Sequence, residues 1–237
     1  MASTFVLVHG GWHGGWCWRE VASRLRQDGH DVHCPTMTGL AERSHLIDAV
    51  EGPDTHVDDI ANVIRWNELN DIILVGHSYG GLIVTGVATR MPEKTQHLVY
   101  LDAFVPTADN QSPADLSILS RSAEIAKAAV GHKHVPPSGF ERWSSSPENL
   151  DWLKRMTTPH PRSCFGAGVS RVDDPSAGPF KRTYIACAKH DPSPFLSFYQ
   201  RYKDDPRWHC VSMDCLHDAM VDQPAELADL LLEAANR

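Results

Sequence analysis

The sequence contains no long apolar segment and no basic patch. Its apolar runs, such as residues 5–8 and 72–75, are far shorter than the roughly 20 residues that a bilayer-spanning helix needs. Lys and Arg number 22 against 30 Asp and Glu, which gives a formal net charge of −8, and no stretch concentrates the cations. Nucleic acids and anionic membranes both require a local positive potential, so we expect neither as a partner.

The cysteines and the start of the chain also lack familiar signals. The six cysteines are scattered without a C-x-x-C pair, which argues against a zinc knuckle and a redox motif. Met1 leads into a strand-like segment without the charged region that opens a secretion signal. We therefore predict a cytoplasmic protein.

What is present is a repeated alternation of apolar runs and helix-like segments. Hydrophobic residues make up 42% of the 237 residues, which is enough for one large core. The runs lack polar alternation, as expected for parallel strands buried on both faces. Clusters of Pro and Ser interrupt this rhythm after residue 104, around a predicted helix over residues 116–130. We predict a doubly wound, mostly parallel sheet of about six strands from residues 1–104 and 181–237, with a small helical cap inserted at residues 105–180.

The strongest chemical signal is a G-x-S-x-G motif at residues 76–80, between an apolar strand and a helix. In this context the glycines permit a sharp turn that strains Ser78 and presents its hydroxyl at the carboxyl edge of the sheet. A serine nucleophile needs a base within hydrogen-bond reach. Of the 14 histidines, His217 stands out because it lies between the final predicted strand and the final helix. Ser78 and His217 are therefore the predicted nucleophile and base.

Two residues compete for the acid that orients the histidine. Asp191 lies in the loop after the strand over residues 183–186, and Asp102 ends the strand over residues 98–101. A carboxylate in a polar loop costs little, whereas one embedded in an apolar strand end must be paired or hydrogen-bonded. This cost slightly favours Asp102, and Asp191 remains a nearly equal alternative.

The oxyanion requires two N–H donors near the serine. One is expected from Tyr79, the residue after the nucleophile, and the other from the glycine-rich loop after the first strand. We choose Gly11 for the second donor, with Gly10 as the alternative. His9 and His13 are spaced as metal ligands on a helix would be, but their segment is a glycine-broken loop, so we expect no metal.

Residues 5–10, 13–18, 76–81 and 100–106 together resemble the α/β-hydrolases related to plant methylesterases and hydroxynitrile lyases, in a bacterial-type variant. The resemblance covers most of residues 1–106 and returns at 183–232. It implies the α/β-hydrolase fold with a small helical cap over the serine, chemistry without a cofactor, and small ester substrates.

The sequence departs from that family at two places. The lyases carry a threonine and a lysine where this chain has Gly10 and Asp218, so the cation that would hold cyanide is missing and a hydrolase is favoured. In the plant enzymes the acid falls three residues after the cysteine that ends the strand. Counted from Cys187, that position is His190, which weakens the case for Asp191.

These observations predict a serine carboxylic-ester hydrolase that acts on small apolar or aromatic esters through an acyl-enzyme on Ser78. A cofactor-free lyase or oxygenase and a non-catalytic small-molecule receptor remain as alternatives on the same scaffold. The chain is expected to act as a monomer or homodimer. The predicted substrate-binding residues are Trp12, Phe104, Trp143 and Trp152. For the two cap tryptophans, Trp143 and Trp152, packing of the cap onto the sheet is an equally good explanation.

Overall fold

In the computed structural model, the residues described are 2–117 and 133–237. A parallel sheet of six strands forms the centre of the molecule, with strand order β2-β1-β3-β4-β7-β8 once the strands are numbered along the chain. A separate antiparallel pair, β5 and β6, lies within residues 105–180. The strands are β1 Thr4–Val8, β2 Asp31–His33, β3 Ile72–His77, β4 Thr95–Leu101, β5 His134–Val135, β6 His160–Pro161, β7 Lys181–Cys187 and β8 His209–Met213.

Helices cover both faces of the sheet, as the doubly wound fold requires. Successive side chains of a strand point to opposite faces. In β1, Val6 and Val8 join the apolar cluster beneath the second and third helices, whereas Phe5 and Leu7 join the cluster beneath the first and last helices. In the described residues the helices are α1 Arg19–Gln27, α2 Pro53–Trp66, α3 Gly80–Arg90, α4 Pro113–Leu116, α5 Pro147–Met156, α6 Ser163–Gly166, α7 Leu196–Tyr202, α8 Ala219–Asp222 and α9 Pro224–Ala235.

The predicted fold class is confirmed, and the differences concern the ends of elements. Helix α2 begins at Pro53 rather than at residue 57, because proline is well suited to the first turn of a helix. Strands β3 and β4 are each longer than predicted and continue to the residue just before a proposed catalytic side chain. The predicted helix over residues 116–130 lies almost wholly outside the described residues.

The strand order brings the candidate site together. Parallel neighbours β3, β4, β7 and β8 end at one edge of the sheet, so the loops that follow them are adjacent in space. Ser78 follows β3, Asp102 follows β4, and His217 lies in the loop after β8. Residues far apart in sequence therefore meet at the carboxyl edge.

The described part of residues 105–180 adds no strand to the central sheet and contacts the loop after β8. The backbone N–H groups of His217 and Asp218 donate to the carbonyls of Arg142 and Trp143, at 3.2 and 2.9 Å. The proposed division into core and cap fits this arrangement and stays a prediction. None of the helices in residues 2–117 and 133–237 has the length and apolarity needed to cross a membrane.

Candidate active site

Ser78 occupies a sharp turn between β3 and α3. Its φ of 55° lies in the left-handed region, which is strained for a residue with a side chain. Three backbone hydrogen bonds hold it there: its N–H donates to Leu101 O at 3.2 Å, and its carbonyl accepts from Gly81 at 3.1 Å and Phe104 at 3.2 Å. The turn is thus fixed to the end of β4 as well as to its own helix.

Two glycines allow the neighbouring backbones to approach this turn. A Cβ atom on Gly80 would lie 2.9 Å from Val8 O and 2.8 Å from His9 O. One on Gly81 would lie 2.1 Å from Phe104 O, a distance that real Cβ atoms do not reach. The glycines after the serine are therefore required by packing against the loops that follow β1 and β4.

Asp102 and His217 form a close buried pair. The Nδ1 atom of His217 lies 2.6 Å from Oδ2 of Asp102, and these residues are 6% and 1% exposed. An ionised carboxylate can only accept, so His217 donates through Nδ1 and its Nε2 is left as the acceptor. The His217 ring stacks on Phe195 with centroids 5.0 Å apart. The geometry presents the ring nitrogen that a general base uses.

His190 is a second histidine on the same carboxylate. Its Nδ1 lies 2.7 Å from Oδ2 of Asp102, while Oδ1 accepts the backbone N–H of Cys187 at 3.4 Å. Burial by itself would raise the pKa of Asp102, but the hydrogen bonds from His190 and His217 outweigh burial and hold that pKa below its usual value. The carboxylate is therefore ionised in its buried position.

The backbone around Asp102 is also constrained. Asp102 has a φ of 41°, and its N–H donates to Ile185 O at 2.7 Å. The hydroxyl of Tyr184 accepts the N–H of Ala103 at 3.2 Å. Asp191, the alternative acid, is exposed in the loop after β7. Of the two candidates, the structure brings Asp102 to His217 and leaves Asp191 in solvent.

His77, the residue before the serine, fastens the histidine loop to β3. Its Nε2 donates to the carbonyl of His217 at 3.1 Å, and the two rings lie 4.5 Å apart. Within the described residues the hydroxyl of Ser78 makes no hydrogen bond, and a bond from Ser78 to His217 stays a prediction. Such bonds often form only when substrate binds.

The predicted oxyanion donors lie on two adjoining segments. Within the described residues, the backbone N–H groups of Tyr79 and Gly11 take part in no hydrogen bond, and neither does that of Gly10. A Cβ atom on Gly10 would lie 2.9 Å from Cβ of Ser78, so this loop passes directly beside the nucleophile. These N–H groups are unpaired in the described residues, and their role as oxyanion donors stays a prediction.

Histidines hold the oxyanion loop in shape. His9 donates through Nδ1 to Gly10 O at 2.8 Å and accepts the N–H of Met37 at Nε2. His13 donates through Nδ1 to Gly11 O at 2.7 Å, and its Nε2 lies 2.9 Å from Oδ2 of Asp218. Burial lowers the pKa of His9 to about 3. Burial opposes charge on His13 as well, but Asp218 raises the pKa of His13 overall.

Three buried clusters in the described residues contain metal-ligating atoms within 4.8 Å of one another. Two of them contain His217. The third joins His56, His160 and Cys164, but His56 already donates to Thr38 O and accepts from Tyr79. Nδ1 of His160 is also occupied, because it accepts the backbone N–H of Trp12. A metal would have to displace these bonds, and the absence of a metal stays a prediction.

Three of the four predicted substrate-binding residues lie around the site. Trp12 packs 5.7 Å from Trp143 of the cap, and its indole N–H donates to Val135 O at 2.9 Å. Phe104 lies two residues after Asp102, and its ring is 4.7 Å from Phe195, the ring that stacks on His217.

The fourth predicted residue, Trp152, faces a different surface. Its ring lies 4.9 Å from Trp16 and beneath the Arg19 guanidinium, in a groove beside α1. No ring contact or hydrogen bond joins Trp152 to Ser78 or His217 in the described residues. Its role in substrate binding stays a prediction without a contact that supports it.

Sequence reasoning missed the supporting residues His13, His77 and His190. His77 had a signal, because it is the variable residue before the serine in the G-x-S-x-G motif. The pair of His13 with Asp218 has no signal, because nothing in the spacing of these residues indicates that they are in contact. Position 190 has a signal only through the resemblance, which predicts an acid there rather than a histidine.

Comparisons with known proteins give the family and the fold of the chain. The sequence model of the alpha/beta hydrolase family matches residues 5–230. The carbendazim hydrolyzing esterase of Nocardioides sp. (strain SG-4G) is 39% identical over 241 residues, covering 97% of this chain and 98% of that protein. Methylesterase 10 of Arabidopsis thaliana is 32% identical, with 98% and 91% covered.

A solved structure shows the same fold. It is an extracellular alpha/beta-hydrolase from a Paenibacillus species, described as sharing structural and functional homology with tobacco Salicylic Acid Binding Protein 2. It superposes with a TM-score of 0.82 at 22% identity and covers 98% of both chains. At this identity the likeness concerns the fold alone.

Proposed function

Because the chain belongs to the alpha/beta hydrolase family, we propose that it cleaves small esters through an acyl-enzyme on Ser78. The chain is a carboxylic-ester hydrolase, and its predicted resemblance to the methylesterases is confirmed. The observation that carries the proposal is the 2.6 Å hydrogen bond between His217 and Asp102 beside the strained Ser78 turn.

Acylation begins when the Ser78 hydroxyl attacks the ester carbonyl. Nε2 of His217 takes the hydroxyl proton, and Asp102 stabilises the imidazolium that results. The N–H groups of Tyr79 and Gly11, with Gly10 as the alternative to Gly11, donate to the oxyanion. His217 then returns the proton to the leaving alcohol as the carbon–oxygen bond breaks.

Deacylation repeats these steps with water as the nucleophile. His217 takes a proton from water, the hydroxide attacks the acyl carbonyl, and the tetrahedral oxyanion again meets the same N–H donors. Collapse of this intermediate releases the acid and returns the proton to Ser78. All the groups used belong to the chain, and no cofactor takes part in the proposed reaction.

The proposed substrates are small esters with an apolar or aromatic part. Trp12, Trp143 and Phe165 form an aromatic cluster next to the oxyanion loop, with Trp12 5.2 Å from Phe165. The names of two relatives, a carbendazim hydrolyzing esterase and a methylesterase, support ester substrates. Aromatic walls favour flat apolar groups by burial and ring stacking.

The test is hydrolysis of p-nitrophenyl acetate by Ser78→Ala and His217→Ala. Each is expected to lower kcat by a factor on the order of 10⁴, because the oxyanion hole and binding alone remain. Ser23→Ala and His45→Ala are matched controls at exposed positions and should keep the wild-type rate. Wild-type activity in Ser78→Ala would refute the acyl-enzyme.

Labelling with a fluorophosphonate separates an enzyme from a receptor. The wild type should be labelled stoichiometrically at Ser78 and should turn over many equivalents of ester. A receptor that retains the same residues would bind the ester and hold the product tightly, so it would complete few turnovers. Label on another residue would show that Ser78 is not the activated serine.

A further inference from the structure

We propose that His190 is a positioning residue for this hydrolysis, holding the Asp102 carboxylate in the orientation that His217 requires. The inference rests on the proposed function and extends it to a residue outside the predicted triad. Both imidazoles converge on one oxygen: Nδ1 of His190 lies 2.7 Å and Nδ1 of His217 2.6 Å from Oδ2 of Asp102. The two rings lie 4.6 Å apart.

The other oxygen of Asp102 is weakly held. Oδ1 accepts only the N–H of Cys187 among the described residues, at 3.4 Å, which is long for such a bond. Without His190, rotation of the carboxylate would be limited by that bond and by His217 itself. During the proposed reaction His217 gains and loses a proton and so changes its charge, whereas His190 offers the same donor to Oδ2 throughout. The second histidine thus supplies a constant reference for the carboxylate.

A neutral donor suits this position better than a cation would. His190 is 8% exposed, and burial, followed by repulsion from His217, lowers the pKa of His190 although Asp102 opposes the shift. A neutral N–H orients the carboxylate without cancelling its charge. The full charge of Asp102 remains available to stabilise the imidazolium on His217.

The competing explanation is that His190 only fills space. Its ring also packs 5.9 Å from Phe195, whose ring supports His217. Two substitutions separate the roles: His190→Leu keeps apolar volume and removes the donor, whereas His190→Asn places an amide N–H near the position of Nδ1.

The experiment measures kcat and KM for p-nitrophenyl acetate, with melting temperature recorded for each variant. We expect His190→Leu to lower kcat about 10-fold to 100-fold with little change in KM, by analogy with the loss of a hydrogen-bond partner that orients a metal ligand. His190→Asn should stay within about 3-fold of wild type. Wild-type kcat in His190→Leu, or an equal loss in both folded variants, would overturn the proposal.

If His190→Leu fails to fold, His190→Asn decides the question alone, since a large loss of kcat in that folded variant refutes the role of the donor. A double variant adds a second test. If His190 acts through Asp102, then Asp102→Asn combined with His190→Leu should be no slower than Asp102→Asn, whereas independent roles would multiply the losses.

Ser78→Ala is measured in the same series to keep the two hypotheses apart. Loss of activity in Ser78→Ala together with wild-type kcat in His190→Leu refutes only the role of His190. Retained activity in Ser78→Ala refutes the acyl-enzyme, and the positioning role falls with it.

Discussion

Asp102 shows how a single buried charge becomes tolerable. Removing a carboxylate from water costs several kcal/mol unless strong donors replace the lost hydration. Asp102 receives three hydrogen bonds, from His190, His217 and the backbone of Cys187. A carboxylate at an apolar strand end needs such partners, as the sequence predicts. Their identity is not visible in the sequence, because they come from the end of β7 and from the loops after β7 and β8.

Exchange of Asp102 and Asp191 for asparagine tests the acid at this scale. Asp102→Asn should lower kcat by about 10³–10⁴, because a neutral amide cannot stabilise an imidazolium as a carboxylate does, and its NH2 group would face another donor, either the histidines or the Cys187 N–H. Asp191→Asn should change kcat by less than about 2-fold, because that side chain is exposed. Ester hydrolysis by the two purified variants, compared at one pH, measures both. A loss confined to Asp191→Asn would identify Asp191 as the acid.

At the scale of elements, the strand ends were predictable and the supporting contacts were not. Apolar runs between turn residues locate β3 and β8, and their ends indicate Ser78 and His217. The bond from His190 to Asp102 joins loops 88 residues apart, and no periodicity in the sequence reports such a contact. By the resemblance, position 190 should carry an acid. In the structure this position is a histidine, and it donates a hydrogen bond to Asp102, which follows the neighbouring strand β4.

The turn from β3 into α3 supplies the prediction for this scale. Gly81→Ala should destabilise the fold by about 3 kcal/mol, because a Cβ at that position meets the Phe104 carbonyl at 2.1 Å and backbone must move. Activity should fall as well, since Phe104 also donates to the carbonyl of Ser78. Urea denaturation gives the stability and ester hydrolysis the activity.

The control for this substitution is Gly166→Ala. Gly166 is exposed, and nothing lies within 4 Å of a Cβ built there, so its free energy of unfolding should change by less than about 0.5 kcal/mol. Equal stability of Gly81→Ala and Gly166→Ala would show that the contact between α3 and the loop after β4 is not as close as the structure indicates.

At the scale of the whole molecule, the high histidine content reflects an unusual interior. Only one of the 14 histidines, His217, has a role that the sequence predicts, yet many of the others are buried in the core. Burial lowers the pKa of His9 to about 3 and those of His56 and His97 to about 4. Between pH about 6.5 and these lowered pKa values, the rings are neutral in the folded protein but would be protonated in an unfolded chain.

The buried histidines predict that stability falls as the pH is lowered from 7 to about 5. Between the ordinary histidine pKa of about 6.5 and their lowered values, the unfolded chain binds more protons than the folded one, so the free energy of unfolding rises with pH. Each such group contributes up to about 1.4 kcal/mol per pH unit in that window. His13, whose pKa is raised by Asp218, acts in the opposite direction, but it is one group against several.

Urea denaturation at pH 7, 6 and 5 measures this dependence, and His97 provides the variant because it lies on β4 away from Ser78. His97 donates to or accepts from Thr183 Oγ1 at 2.9 Å, a contact that an amide can also make. His97→Gln should therefore fold. Its free energy of unfolding should depend less steeply on pH than that of the wild type, by the equivalent of up to about one proton. His45→Gln, at an exposed position, should keep the wild-type slope. A stability that does not change between pH 7 and 5 would mean that the buried histidines are protonated in the folded protein, contrary to the environment that surrounds them.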